Sequence, residues 1–263
     1  MIKKAGSLFT TAYLLLIFGV YPFYMKQGYV DIGKAKYHFF IFSSLAAAGI
    51  FTLISILLTA QGIYQWLKKR KMYLIDWNNL SIVDLLVMMY AAEIFISYAF
   101  SDFRGEALWG TEGWYMGLVL KLILCALYFF ISRLWDGNRF VWHMSIVISG
   151  VVFVLGILDR FSIYLIPLEI RQPEFISTLG NINWFNGYLS VLAPIGICMF
   201  LFQNKNIYLK LFYGIYTIIS FMAGVSQGGD SIFLFFAALF FILLWISLEK
   251  EAWLRNYFFL IFL

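Results

Sequence analysis

The chain has 263 residues, 63% hydrophobic and 21% aromatic, with 13% charged and a mean hydropathy of +0.85. Soluble domains are near half apolar and about a quarter charged, and a fold of this size cannot hide so much apolar surface from water; this excludes a soluble enzyme, a disordered chain and a secreted disulfide scaffold. The formal charge of +5 does not signal nucleic acid, because the basic residues fall in short clusters between apolar runs instead of gathering on one face.

A helix crosses the hydrocarbon in about 20 apolar residues at about 1.5 Å each. That ruler predicts eight spans: Ala5–Met25, Phe39–Ala60, Ser81–Phe100, Trp114–Ile131, Val141–Leu158, Phe185–Phe202, Ile207–Val225 and Ile232–Leu248. A ninth starts near Tyr257 and breaks off at Leu263. The expected fold class is all-α: a polytopic transmembrane helical bundle, one integral membrane domain over 1–263, incomplete at its C-terminus. No small-x-small cleavage site follows the first span, so it reads as a retained anchor and not a signal peptide.

Cytoplasmic loops of membrane proteins carry an excess of Lys and Arg. With the N-terminus in the cytoplasm, the inner segments hold Lys3, Lys4, the Lys68–Lys71 cluster, Arg133, Arg139, Lys205, Lys210, Lys250 and Arg255. The outer segments hold half as many: Lys26, Lys34, Lys36, Arg104, Arg160 and Arg171. The bias predicts a cytoplasmic N-terminus. Inner connections such as Arg133–Arg139 are short, and the longer Ser101–Gly113 and Asp159–Asn183 fall outside. Chemistry concentrates in loops held by a rigid frame, which directs attention to the outer face.

Within the spans, Ser81-Ile82-Val83-Asp84 fits a capping box at a helix start. Glu93 and Lys121 lie mid-span, each twelve residues from the inner end of its helix. Neighbouring antiparallel helices would bring them to one depth, so an intramembrane Glu93–Lys121 ion pair is geometrically allowed. Its role is either structural or that of a polar cavity for a charged head group or a proton. Cys125 and Cys198 sit in apolar stretches with no metal spacing and read as packing residues. His38 and His143 lie near span ends without a partner at catalytic spacing.

Three polar stretches fall on the outer side. Trp109-Gly110-Thr111-Glu112-Gly113-Trp114-Tyr115-Met116-Gly117 combines turn-permitting glycines with aromatics suited to the lipid–water boundary. Gly180-Asn181-Ile182-Asn183-Trp184-Phe185-Asn186-Gly187-Tyr188, followed by Pro194, sets three amides ahead of an apolar run. One can cap the helix, and a helix N-terminus favours anions such as phosphate. Ser226-Gln227-Gly228-Gly229-Asp230-Ser231 is a short turn between two apolar helices.

In this order, the three stretches resemble the O-antigen ligase and O-antigen polymerase family of bacterial membrane glycosyltransferases. The resemblance runs from about Lys34 to the C-terminus. Ile182 stands where the family often has proline, and Gln227 where it usually presents an arginine that holds the donor diphosphate. Family members continue into a long outer loop bearing further arginine and a histidine linked to catalysis. The resemblance therefore implies that this chain is an N-terminal portion.

It also implies a metal-independent glycosyltransferase without a cofactor in the bacterial cytoplasmic (inner) membrane, serving cell-surface polysaccharide synthesis. Such an enzyme transfers or polymerises a glycan from a polyprenyl-diphosphate-linked donor onto a lipid or glycan acceptor. Arg171 would contact the diphosphate, Asn181, Asn183 and Asn186 would line the head-group site, and Gln227 with Asp230 would shape its floor. The sequence nominates no general base. The alternatives are a polytopic transporter or lipid-linked-glycan flippase, favoured by Glu93 and Lys121 but lacking matched halves, and an inactive scaffold of the assembly complex.

Overall fold

The computed structural model describes residues 2–26, 31–69, 80–166, 175–203 and 205–250. These are overwhelmingly helical: α1 (Ile2–Leu15), α2 (Ile32–Lys69), α3 (Ile82–Ala99), α4 (Arg104–Trp109), α5 (Leu118–Leu134), α6 (Arg139–Arg160), α7 (Ile182–Phe202), α8 (Ile207–Gln227) and α9 (Asp230–Lys250). The all-α class is therefore correct. Six helical segments are long and apolar enough to cross a membrane: Lys3–Phe23, Ile32–Lys68, Ile82–Ala99, Arg139–Arg160, Ile182–Phe202 and Ile207–Gln227. Helix α5, with 17 residues, and the apolar part of α9 also form where spans were expected. The start of the ninth span lies outside the described residues. Beside the helices, the described residues contain one strand pairing, Phe175–Ile176 antiparallel to Gly180–Asn181.

The chain divides into two compact units, one formed by 1–24 and 33–141, the other by 25–32 and 142–263. In the first, α1 continues through a π-helical turn, Leu16–Val20, and a 3-10 turn, Tyr21–Phe23. Pro22 has no N–H to extend the helix. The buried Lys36 ammonium donates to the carbonyls of Tyr21 (3.1 Å) and Pro22 (3.0 Å), satisfying acceptors that the helix end leaves open. The core of this unit is Tyr13, Ile41, Phe51, Leu120, Ile123 and Leu127, with the Tyr13 hydroxyl bonded to Ser44 Oγ at 2.8 Å.

Helix α3 starts with the expected capping box. Ser81 Oγ accepts the Asp84 N–H at 3.1 Å, and Asp84 Oδ2 accepts the Ser81 N–H at 2.7 Å. Two groups on α5 add to it: Arg133 Nη2 reaches Asp84 Oδ2 at 2.8 Å and the Tyr128 hydroxyl donates to Asp84 Oδ1 at 2.9 Å. The cap of α3 is thus also its clasp to α5.

In the second unit, α7 and α8 pack closely because Gly196 lets the Tyr216 ring lie against its backbone; even a methyl group there would overlap the ring. The Tyr216 hydroxyl bonds to Ser149 Oγ of α6 at 2.9 Å. Phe153, fully buried, sets its ring 5.8–6.0 Å from those of Phe185, Tyr188 and Tyr216. A smaller apolar cluster of Ile197 and Leu201 with Leu239, Phe240 and Leu243 seats α9 on α7. Helix α8 starts on an Asn206 cap, whose Oδ1 accepts from Tyr208 and Leu209, and ends at Gly228 in the left-handed conformation, φ 66°.

Candidate functional site

The last turns of α6 anchor a polar knot in the second unit. Val152, Gly156 and Asp159 are spaced i, i+4, i+7 and so share one face of that helix. Ser177 Oγ donates to the Val152 carbonyl at 2.9 Å, and the Ser177 N–H donates to Asp159 Oδ2 at 2.8 Å. From the end of α8, Gln227 Nε2 donates to the Gly156 carbonyl at 3.2 Å and to Ser226 Oγ at 3.2 Å. One stripe of α6 therefore holds both the strand turn and the C-terminal turn of α8.

The strand turn leads straight into α7. Ser177, Thr178 and Leu179 connect the two short strands and are all buried. Ser177 adopts φ 56° and Gly180 φ 103°. The first is an uncommon conformation for a residue with a Cβ, and its two anchors on α6 hold it there. Asn181 ends the second strand and caps α7, its Oδ1 accepting the Asn183 N–H at 2.7 Å. One turn further along α7, Asn186 lies against the turn between α8 and α9: a methyl group on Gly229 would come within 2.7 Å of its Nδ2.

Four buried oxygens in this region have no hydrogen-bond partner among the described residues: Thr178 Oγ1, Asn186 Oδ1, Gln227 Oε1 and Tyr188 OH. Thr178 is 0% exposed, Gln227 2% and Asn186 5%. A buried polar atom without a partner costs about 1–3 kcal/mol. Most buried side-chain polar atoms in native proteins are bonded, so a concentration of unbonded ones marks a place where something else supplies the bond.

An apolar groove of about 350 Å³ runs along the same two helices. Ile146, Val147, Gly150, Val151, Val154 and Leu155 of α6 line one wall, and Phe212, Ile215, Tyr216 and Ile219 of α8 the other, with Leu165 beyond the end of α6. Leu155 of the groove immediately precedes Gly156 of the knot.

Of the residues singled out in the sequence, Asn181, Asn186 and Gln227 are thus brought to the knot. Asn183 follows the cap on the exposed side of α7, and Asp230 is exposed in the first turn of α9. Arg171 lies outside the described residues. Glu93 and Lys121 belong to the first unit. No ion pair joins them: the pairs among the described residues are Lys34–Glu112 and Arg133–Asp84. The reason is angular. The stripe Asp84, Val87, Ala91, Ile94 and Tyr98 is the less exposed face of α3, and Asp84 on it meets α5. At roughly 100° per residue, Glu93 sits about 140° away from the centre of that stripe.

The Trp109–Gly117 stretch also belongs to the first unit. It folds back on itself, so that a Cβ on either Gly110 or Gly117 would strike backbone of the other end. Tyr115 stacks on Tyr37 at 4.5 Å.

Sequence reasoning missed Ser177, Thr178, Gly156 and Asp159, and named Tyr188 only as the end of the Gly180–Tyr188 stretch. The Ser-Thr-Leu-Gly run carries an ordinary turn signal, and nothing local tells that its hydroxyls turn inward. Among the described residues no group of three or more His, Cys, Asp or Glu is placed to hold a metal ion. The chain matches no family model, no curated protein and no solved structure.

Proposed function

We propose that the chain is an O-antigen ligase- or polymerase-like protein of the bacterial cytoplasmic membrane, with eight spans and a cytoplasmic N-terminus. On this reading it moves a glycan from a polyprenyl diphosphate donor to a lipid or glycan acceptor at the outer face. The observation that carries the reading is the pairing of a buried amide-and-hydroxyl knot with an apolar groove on the same two helices. A lipid-linked sugar needs both: an oily wall for the prenyl chain and polar atoms for the head. With the N-terminus inside, the C-terminal ends of α6 and α8 and the N-terminal end of α7 all face outward.

The chemistry asks little of the protein. The acceptor oxygen bonds to the anomeric carbon while the bond from that carbon to the diphosphate breaks. The electron pair leaves with the polyprenyl diphosphate, whose added charge takes up the acceptor proton. Rate enhancement then comes from orienting the two substrates and stabilising the departing charge. Asn181, Asn183 and Asn186 line the head-group site, Gln227 and Asp230 form its floor, and Arg171 neutralises the diphosphate.

The test is transfer in proteoliposomes containing the full chain, a polyprenyl-diphosphate-linked glycan and an acceptor. The wild-type protein elongates or glycosylates the acceptor. Arg171→Ala abolishes this while leaving the protein inserted, and Gln227→Ala lowers it about 100-fold. Movement of the labelled donor across the bilayer without any new glycosidic bond assigns a flippase instead, and wild-type transfer by both variants removes these residues from the site.

A further inference from the structure

The knot has a polarity that separates two parts of such a donor. Gln227 is fixed in orientation, because its Nε2 faces two acceptors, the Gly156 carbonyl and Ser226 Oγ. The atom left over is Oε1, which can only accept. Thr178 Oγ1 and Asn186 Oδ1 are likewise buried without a hydrogen-bond partner among the described residues. A diphosphate only accepts, so it can bond the Thr178 hydroxyl but leaves Gln227 Oε1 and Asn186 Oδ1 without a donor. A sugar brings hydroxyls that both donate and accept, and so can bond the two acceptor oxygens and the Thr178 hydroxyl together.

We infer that Thr178, Asn186 and Gln227 form an uncharged subsite that reads the hydroxyls of the sugar next to the diphosphate, and that the diphosphate itself is held elsewhere. This rests on the lipid-linked-glycan reading above and refines which part of the donor the knot takes. Buried oxygens bonded by a sugar's hydroxyls also discriminate well, because a ligand lacking the hydroxyl leaves them unbonded.

Two near-isosteric variants test it, Thr178→Val and Asn186→Leu. Each removes a buried oxygen without a hydrogen-bond partner among the described residues, so the melting temperature stays equal or rises. The full chain in nanodiscs is titrated with a long-chain polyprenyl diphosphate without sugar, and with the same lipid carrying one hexose or one N-acetylhexosamine. The wild-type protein binds at least one sugar-bearing lipid more tightly than the bare one. Both variants keep the affinity for the bare lipid and lose about tenfold or more for the sugar-bearing lipid.

Equal loss for bare and sugar-bearing lipids overturns the inference and returns the knot to the diphosphate. Unchanged binding of the sugar-bearing lipid by both variants also overturns it. If the wild-type protein binds bare and sugar-bearing lipids equally, the inference fails while the lipid-diphosphate reading stands. If it binds neither, the reading beneath it fails. A melting temperature raised by sodium chloride but not by N-methylglucamine chloride assigns the oxygens to a cation and overturns the sugar subsite.

Discussion

Tyr216 of α8 touches two other helices, α6 and α7, through two different interactions. Its ring fills the space over Gly196, and its hydroxyl reaches Ser149. Gly196→Ala forces the ring to move in a packed interior, which typically costs about 1–3 kcal/mol; thermal unfolding in detergent reads the loss. The Ser149–Tyr216 hydrogen bond is worth less. Double-mutant cycles between membrane helices average about 0.6 kcal/mol, and a Ser149→Ala, Tyr216→Phe cycle is expected to give a coupling near that. A coupling of zero would assign the whole contribution of Tyr216 to its ring. Asp84 marks how far single residues were legible. Its capping box is written in four consecutive residues and was foreseen. Its bonds to Tyr128 and Arg133 depend on which turn of α5 stands opposite, and no local pattern states that. The same holds for Asn186 and Gln227: their residue types suggested polar work, while Ser177, which bonds to the same helix α6 as Gln227, and its neighbour Thr178 carried no signal.

Among the elements, apolar length located the long helices but not the six-residue α4, which lies in the expected Ser101–Gly113 loop, and the ends were set by chemistry that length does not measure. The first span was expected to run unbroken to Met25, but Pro22 ends it through tighter and looser turns. Helix α5 begins at Leu118 and not Trp114, because the Gly110–Gly117 segment closes on itself first. Helix α2 passes Ala60 and continues to Lys69, since Gln61–Lys69 is polar enough to leave the oil and contains no proline to stop the helix. Helix α3 shows a different limit of pattern reading. Depth along the helix matched Glu93 to Lys121, but rotation about the axis separated them. Because Glu93 is exposed and makes no ion pair among the described residues, Glu93→Leu is expected to insert normally and melt at an equal or higher temperature. A clear loss of stability would reveal a partner for the carboxylate.

At the scale of the whole chain, the proposed orientation predicts which positions water-soluble reagents reach. In a background of Cys125→Ser and Cys198→Ser, a cysteine at Asn183 or Trp114 should react with a membrane-impermeant maleimide added to intact cells. A cysteine at Lys68 should react only after the membrane is opened. The reverse pattern inverts the topology, and labelling of Asn183 and Trp114 from opposite sides removes the shared outer face. The bias of basic residues is the ground on which this orientation is proposed. The grouping of the chain into two compact units was not readable, because α6 runs through the boundary between them without a break in composition.

The length of α2 has a consequence of its own. Its 38 residues measure about 57 Å at 1.5 Å each. The hydrocarbon is about 30 Å thick, and even a steep tilt of about 40° uses only about 39 Å of rod. The remainder must stand in the headgroups and beyond, so the helix works as a mast. An environment-sensitive fluorophore fixed at Gln65 should emit as though dissolved in buffer, and its nearest lipid quencher should be one carried on a headgroup, not on an acyl chain.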